Sequence, residues 1–251
     1  MIADRIRRTR AVGGRVMVQL VRDHRFLALA LLVPVAVVYL LHVFLGSVNS
    51  PFFDPARFAV PLGAFIVHFL TYVLTAIVLV RERTGETLPR MFACGYRQGE
   101  IITGYLTAYT ALASVQSLIV LAELAWLFEL DYPWTKFLSI ALVIWLLAVI
   151  SMSLGILVSN FARTEGQVLP FVPAVIIPSI FLSGVVIPPE NLPAWARVLG
   201  WFTPLFHADA VLVPLLKSGG SMADAGWSLA GLPCYGVAVL ALASLTLRER
   251  D

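Results

Sequence analysis

Apolar residues in this chain gather into runs instead of the alternation or narrow stripe of a soluble fold. Six runs stand out: 26–45, 58–80, 101–121 with an extension toward Phe128, 137–158, 168–187 and 227–247. About 20 apolar residues in a helix, at ~1.5 Å each, cross the ~30 Å of hydrocarbon in a bilayer. Backbone polar groups have no water to bond there, so such a run spans as a helix. The pattern predicts an all-α membrane protein with six transmembrane helices.

The segments between the runs carry their own periodicity. In the first 25 residues, Val12, Val16 and Leu20, with Met17 and Val21, recur at helical spacing, and Arg8, Arg15 and Arg22 fall largely elsewhere. This reads either as an amphipathic helix in the inner interface, arginines near lipid phosphates, or as a plain basic tail. The segment 81–100 mixes charges, with Leu88, Met91 and Phe92 as a small apolar face. It has room for a short helix, too small for chemistry and of a size for another protein to grip. In the segment 188–226, Leu192, Trp195, Leu199 and Phe202 lie on one helical face. Leu205, Leu212, Leu215 and Leu216 suggest a second short helix, divided from the first by Pro204, since proline cannot continue a helix from the previous turn. Ser218-Gly219-Gly220-Ser221 then forms a link to the last run. Pro170, Pro173 and Pro178 predict a kinked fifth span, shielded by neighbours on its proline side.

Composition excludes the soluble alternative. Hydrophobic residues make up 59% and charged residues 13%, against roughly half and a quarter in a soluble domain. The net charge of +3 matters less than its distribution. With the first segment placed inside, 14 of the 18 Lys and Arg residues fall on the inner side; Arg57, Lys136, Arg197 and Lys217 fall outside. That bias orients membrane proteins, and it predicts a multi-pass protein of the cytoplasmic membrane with both ends cytoplasmic. No stretch could fold a basic nucleic-acid domain. Cys94 and Cys234 fall in different environments, so neither a disulfide nor a metal site is expected.

The chain lacks G-x-x-x-x-G-K-[ST], H-E-x-x-H and G-x-S-x-G, which argues against nucleotide binding by a P-loop and against intramembrane zinc or serine hydrolysis. Polar residues inside the runs are few: His68 near mid-span, Gln116, and His42 and Glu123 toward outer ends. Each of His68, Gln116 and His42 is either a contact on a cargo path or an interhelical hydrogen bond. Glu123 is expected to point to the headgroups. Ser151, Gly155 and Ser159 form a small-residue seam for close helix packing, within the chain or across a dimer.

Two stretches together resemble a known family. The first is Arg81-Glu82-Arg83, Gly85, Thr87-Leu88, Arg90-Met91 and then Arg97-Gln98-Gly99-Glu100-Ile101-Ile102 with Gly104-Tyr105. The second runs from Asn160-Phe161-Ala162-Arg163-Thr164-Glu165-Gly166-Gln167 through Phe181-Leu182-Ser183-Gly184 to Ile187-Pro188-Pro189, Trp195 and Pro204-Leu205. In order and spacing they are similar to the membrane subunits of type-2 ABC exporters, closest to the drug- and antibiotic-export branch. Gly85-Glu86-Thr87 departs from the more usual Gly-Thr, and Thr203 stands where asparagine is commoner.

The resemblance implies an interfacial helix in 1–25 and one transmembrane domain over 26–251, with a cytoplasmic coupling helix near 84–96 and an outer re-entrant helical hairpin before the last span. It implies a dimer with a second copy or a related six-span chain, in membrane lipid, driven by separate ABC ATPase subunits that hold the ATP and Mg²⁺; this chain carries no cofactor. Contact with the ATPase would fall to Glu82, Arg83, Glu86, Leu88, Arg90, Met91 and Phe92, although Arg81 and Arg83 would equally serve as headgroup anchors. The exported cargo would be apolar or amphipathic. A non-transporting sensor or scaffold subunit shares these features.

Overall fold

The computed structural model describes residues 2–48, 55–85, 87–217, 219–220 and 222–246. Among them are ten α-helices and no strand. They are α1 (Ile2–Arg22), α2 (His24–Gly46), α3 (Pro55–Thr84), α4 (Thr87–Ala93), α5 (Gln98–Leu127), α6 (Trp134–Ser159), α7 (Phe171–Leu182), α8 (Ala194–Gly200), α9 (Pro204–Leu216) and α10 (Ser228–Thr246). Six spans are long and apolar enough to cross a membrane: α2, α3, α5, α6, α10 and the stretch Glu165–Leu182 that ends in α7.

Local signals set the boundaries. Asp23 accepts a hydrogen bond from the Phe26 amide at 3.0 Å and starts α2 immediately after α1. The Glu100 carboxylate accepts from the Arg97 amide at 2.9 Å and starts α5. Helices α3, α5 and α6 run past the predicted spans at both ends, because the polar residues flanking each run continue the helix into the interface. The fifth span is shorter than the run 168–187: α7 has 12 residues after a 3-10 turn at Glu165–Val168. It closes at Gly184, whose φ of +104° turns the chain in a way side-chain-bearing residues rarely adopt.

The centre of the bundle is the α3–α6 pair. A Cβ on Gly155 would lie 2.7 Å from the Tyr72 carbonyl and 2.9 Å from the Thr75 Cβ, so the two backbones meet at that glycine. The Ser151, Gly155 and Ser159 seam therefore packs within the chain, all three residues buried. Around the pair, α5 brings Tyr105, Val120 and Leu124, and α10 meets α6 where Gly236 faces Ile150. Helix α2 instead exposes Leu29, Leu32, Leu40 and Phe44, and α10 exposes Val237, Leu242 and Leu245. In hydrocarbon such faces meet lipid or another span.

Two amphipathic predictions change in detail. In α1, Val12, Val16 and Leu20 are buried as expected, but Val21 is 55% exposed and lies off that face. The buried stripe rests on α5: Gly13 and Gly104 approach so closely that Val12 fills the space above Gly104. Beyond α7, the helix α8 has only seven residues, because Pro193 starts it late. Leu192 precedes it and is buried, whereas Trp195, Leu199 and Phe202 are exposed; Ala196 and Gly200 form the inner face. Helices α8 and α9 meet at a bend of 97°, with Pro204 opening α9.

Candidate functional site: the α4 end of the bundle

Helix α4 sits where α3 ends and α5 begins. Its Leu88 is buried, and Met91 and Phe92 pack against the main core, while Arg90 is exposed. The turn after it is held from α1: Arg8 donates to the Gly95 carbonyl at 2.6 Å and lies 5.9 Å from the Tyr96 ring centroid. The same arginine is 3.8 Å from Glu100. A short, isolated helix of this length would not persist in water; here its apolar face and both flanks are anchored.

The three charged residues that close α3 go to three different neighbours. Arg81 pairs with Glu165 at 3.2 Å and Asp23 at 3.8 Å. Glu82 is only 4% exposed and accepts from Arg15 at 3.2 Å and Gln19 at 2.8 Å. Arg15 also donates to the Tyr105 hydroxyl at 2.7 Å, so one network joins α1, α3 and α5. Arg83 donates to the Ser159 carbonyl at 2.6 Å and to Asn160 Oδ1, at the end of α6. Asn160 in turn donates to the Ala243 carbonyl at 2.9 Å and Thr246 Oγ1 at 2.8 Å on α10. Gln98 reaches α10 as well, donating to the Ser244 carbonyl.

These placements divide the predicted contact residues. Glu82 and Leu88 face inward, and Arg83 is held by α6; a carboxylate spent on two protein donors has little left for a partner. The accessible part of α4 is Arg90 with the edges of Met91 and Phe92. Glu86 lies outside the described residues. Arg8 and Arg15 bond to protein groups, so the interfacial helix does not reserve them for lipid phosphates.

The intramembrane candidates do not converge. His68 is fully buried; its Nδ1 lies 2.7 Å from Ser151 Oγ and its Nε2 3.4 Å from Ser179 Oγ. Ser151 donates its single proton to the Leu147 carbonyl at 2.6 Å, so His68 Nδ1 is the donor of that pair. His68 thereby bonds α3 to α6; Ser179 donates its own proton to the Val175 carbonyl at 2.7 Å, so His68 Nε2 lies beside α7 without a donor from it. Gln116 is buried between α3 and α5 and accepts from Thr71 at 3.4 Å, its Nε2 unbonded. His42 stacks edge-on against Phe128 at 5.1 Å with a buried, unbonded Nδ1. Glu123 is half-buried, with one carboxylate oxygen shielded and unbonded.

Asp209 was not singled out from the sequence. It is 1% exposed on α9, with neither carboxylate oxygen hydrogen-bonded. A lone carboxylate within the apolar run 204–216 is the signal that marks it. The cysteines are exposed and unbridged, and no His, Cys, Asp or Glu group among the described residues could hold a metal.

Comparison with known proteins identifies related membrane proteins. The chain is 30% identical over 183 residues to the probable multidrug ABC transporter permease YbhR of Escherichia coli K12, covering 71% of this chain and 48% of that protein. It is 26% identical over 233 residues to nodulation protein J of Rhizobium meliloti, covering 83% and 88%. It is 23% identical over 155 residues to the linearmycin resistance permease protein LnrN of Bacillus subtilis, covering 62% and 40%. The chain thus spans about half the length of YbhR and less of LnrN. The family model for ABC-2 type transporters matches residues 7–213, from α1 into α9 and short of α10, and the chain belongs to that family of multi-pass membrane transporter subunits.

Proposed function

We propose that this chain is the transmembrane subunit of an ATP-driven exporter, moved by separate ABC ATPase subunits that grip α4. The observation that carries the reading is the mounting of α4. It is a short helix with an exposed arginine, set on a network that reaches α1, α3, α5, α6 and α10. A push on α4 would reach the ends of several spans, because it packs beside them and their polar groups are bonded to one another around it. ATP and Mg²⁺ belong to the partner; ATP-driven closure of the ATPases would favour one arrangement of the spans over another, which is a population shift.

The charge asymmetry of the sequence supports a cytoplasmic position for this end and export across the cytoplasmic membrane. The exposed apolar faces of α2 and α10 support pairing with a second copy or a related six-span chain, with cargo passing between the two. An apolar or amphipathic cargo suits such walls, and relatives named for multidrug transport and linearmycin resistance support the same class.

The test is the Glu86→Ala, Arg90→Ala double variant, reconstituted with an ABC ATPase that co-purifies with the unaltered chain. Insertion and dimer formation should stay at the level of the unaltered protein, while cargo-stimulated ATP turnover falls at least tenfold. Undiminished export by the variant would remove α4 as the point of coupling.

A further inference from the structure

At the end of the bundle away from α4, the start of α3, the turn after α7 and the end of α9 line a cavity of about 450 Å³. Its size falls within the ~300–1,000 Å³ of small-molecule sites. Two cations, Arg57 and Lys217, stand on its lining, and Phe58, Val185, Val213 and Leu216 supply apolar walls. A third cation is adjacent: Lys136 donates to the Lys217 carbonyl at 3.0 Å and lies 4.5 Å from the ring centroid of Tyr132, another lining residue. Three of the four basic residues that the sequence assigns to this side therefore surround one opening. Among the described residues, no Asp or Glu lines it and neither Arg57 nor Lys217 forms an ion pair.

This arrangement selects a ligand class. Guanidinium and ammonium groups beside a low-dielectric hollow attract an anion, and arginine offers a planar fork that fits phosphate or carboxylate. The walls would be better covered by hydrocarbon than by water. A small inorganic ion would leave the walls wet, and a cationic or neutral amphiphile would leave the two charges unmet. We propose that this cavity binds anionic amphiphiles, with Arg57 and Lys217 on a phosphate or carboxylate head and Phe58, Val185, Val213 and Leu216 on an alkyl chain. Such a molecule could come from the acidic lipids of the surrounding leaflet or from a transported solute, and the site does not depend on coupling through α4.

The experiment uses the full chain in phosphatidylcholine nanodiscs, with binding followed by calorimetry. The probes are dodecyl phosphate, dodecyltrimethylammonium, dodecyl maltoside and inorganic phosphate. Dodecyl phosphate should bind at least tenfold more tightly than the other three. The Arg57→Gln, Lys217→Gln variant should lose that preference while keeping its thermal midpoint, since both side chains are exposed. The Val213→Trp variant, which fills the hollow and keeps both charges, should weaken dodecyl phosphate and leave any binding of inorganic phosphate unchanged. Competition from phosphatidylglycerol in the disc supports a bilayer lipid as occupant; undisturbed dodecyl phosphate binding supports a free amphiphile. Equal binding of the cationic probe, equal binding of inorganic phosphate, no binding of dodecyl phosphate, or unchanged affinity in the double variant would overturn the assignment.

Discussion

Arg81, Glu82 and Arg83 are consecutive, and a helix turns each about 100° from the next. That rotation sends one to Asp23 and Glu165, one to Arg15 and Gln19, and one to Ser159 and Asn160. In the sequence the three look like a single polar patch at the end of a span, and Glu82 looks as available to a partner as its neighbours. Nothing in a charge pattern says which of three adjacent residues points to the core. The same difficulty hides Asp209, where attention goes to the leucines around it. The Glu82 network makes a residue-level prediction. Arg15→Ala should destabilise the protein by about 2–3 kcal/mol, because it leaves a buried carboxylate short of a charged donor. Adding Glu82→Gln should recover part of the loss, since the amide needs no counter-charge. Thermal unfolding followed by size-exclusion chromatography of the detergent-solubilised protein would read both. Equal or additive losses would mean that the pair does not couple.

At the scale of elements, periodicity revealed which helices exist more reliably than what they touch. Five of the six apolar runs become helices that contain them almost entirely, because the bilayer leaves a run of that length no other structure. The fifth run falls short because Gly184 and the prolines end it, and glycine's turn depends on φ, which composition does not encode. The stripe Val12, Val16 and Leu20 was legible, yet its seat on α5 was not; a stripe gives the side that is buried and not the partner that buries it. Glycine positions separate these cases by experiment. Gly155→Ala should cost about 1–3 kcal/mol, because its methyl group would press on the α3 backbone. Gly14→Ala meets open space and should stabilise α1 by up to about 1 kcal/mol. Thermal midpoints of the two purified variants should therefore move in opposite directions.

For the whole molecule, the two ends of the bundle differ in kind. The α4 end is a bonded polar network, while the far end holds cations around a hollow. Family and span number were readable from the chain because both rest on long-range hydropathy and ordered motifs. The hollow was not, because Arg57, Lys136 and Lys217 are brought together only by the return of α9 alongside α3. The proposed orientation makes a direct prediction. In a Cys234→Ala background, Cys94 should react with a membrane-impermeant maleimide only after the cells are opened, and Lys217→Cys in a Cys94→Ala, Cys234→Ala background should react in intact cells. The reverse pattern would place α4 on the far side of the membrane, out of reach of any cytoplasmic ATPase.

The seat of α1 also dictates an order of assembly. This helix is made before the groups that receive it, Glu82, Gly104 and Tyr105, which follow it by some 70 to 90 residues. During synthesis its greasy stripe has only the membrane surface or a chaperone to lie on. The Glu82 network can close only when the end of α3 and the start of α5 have been made, so α1 docks after those two helices and not before.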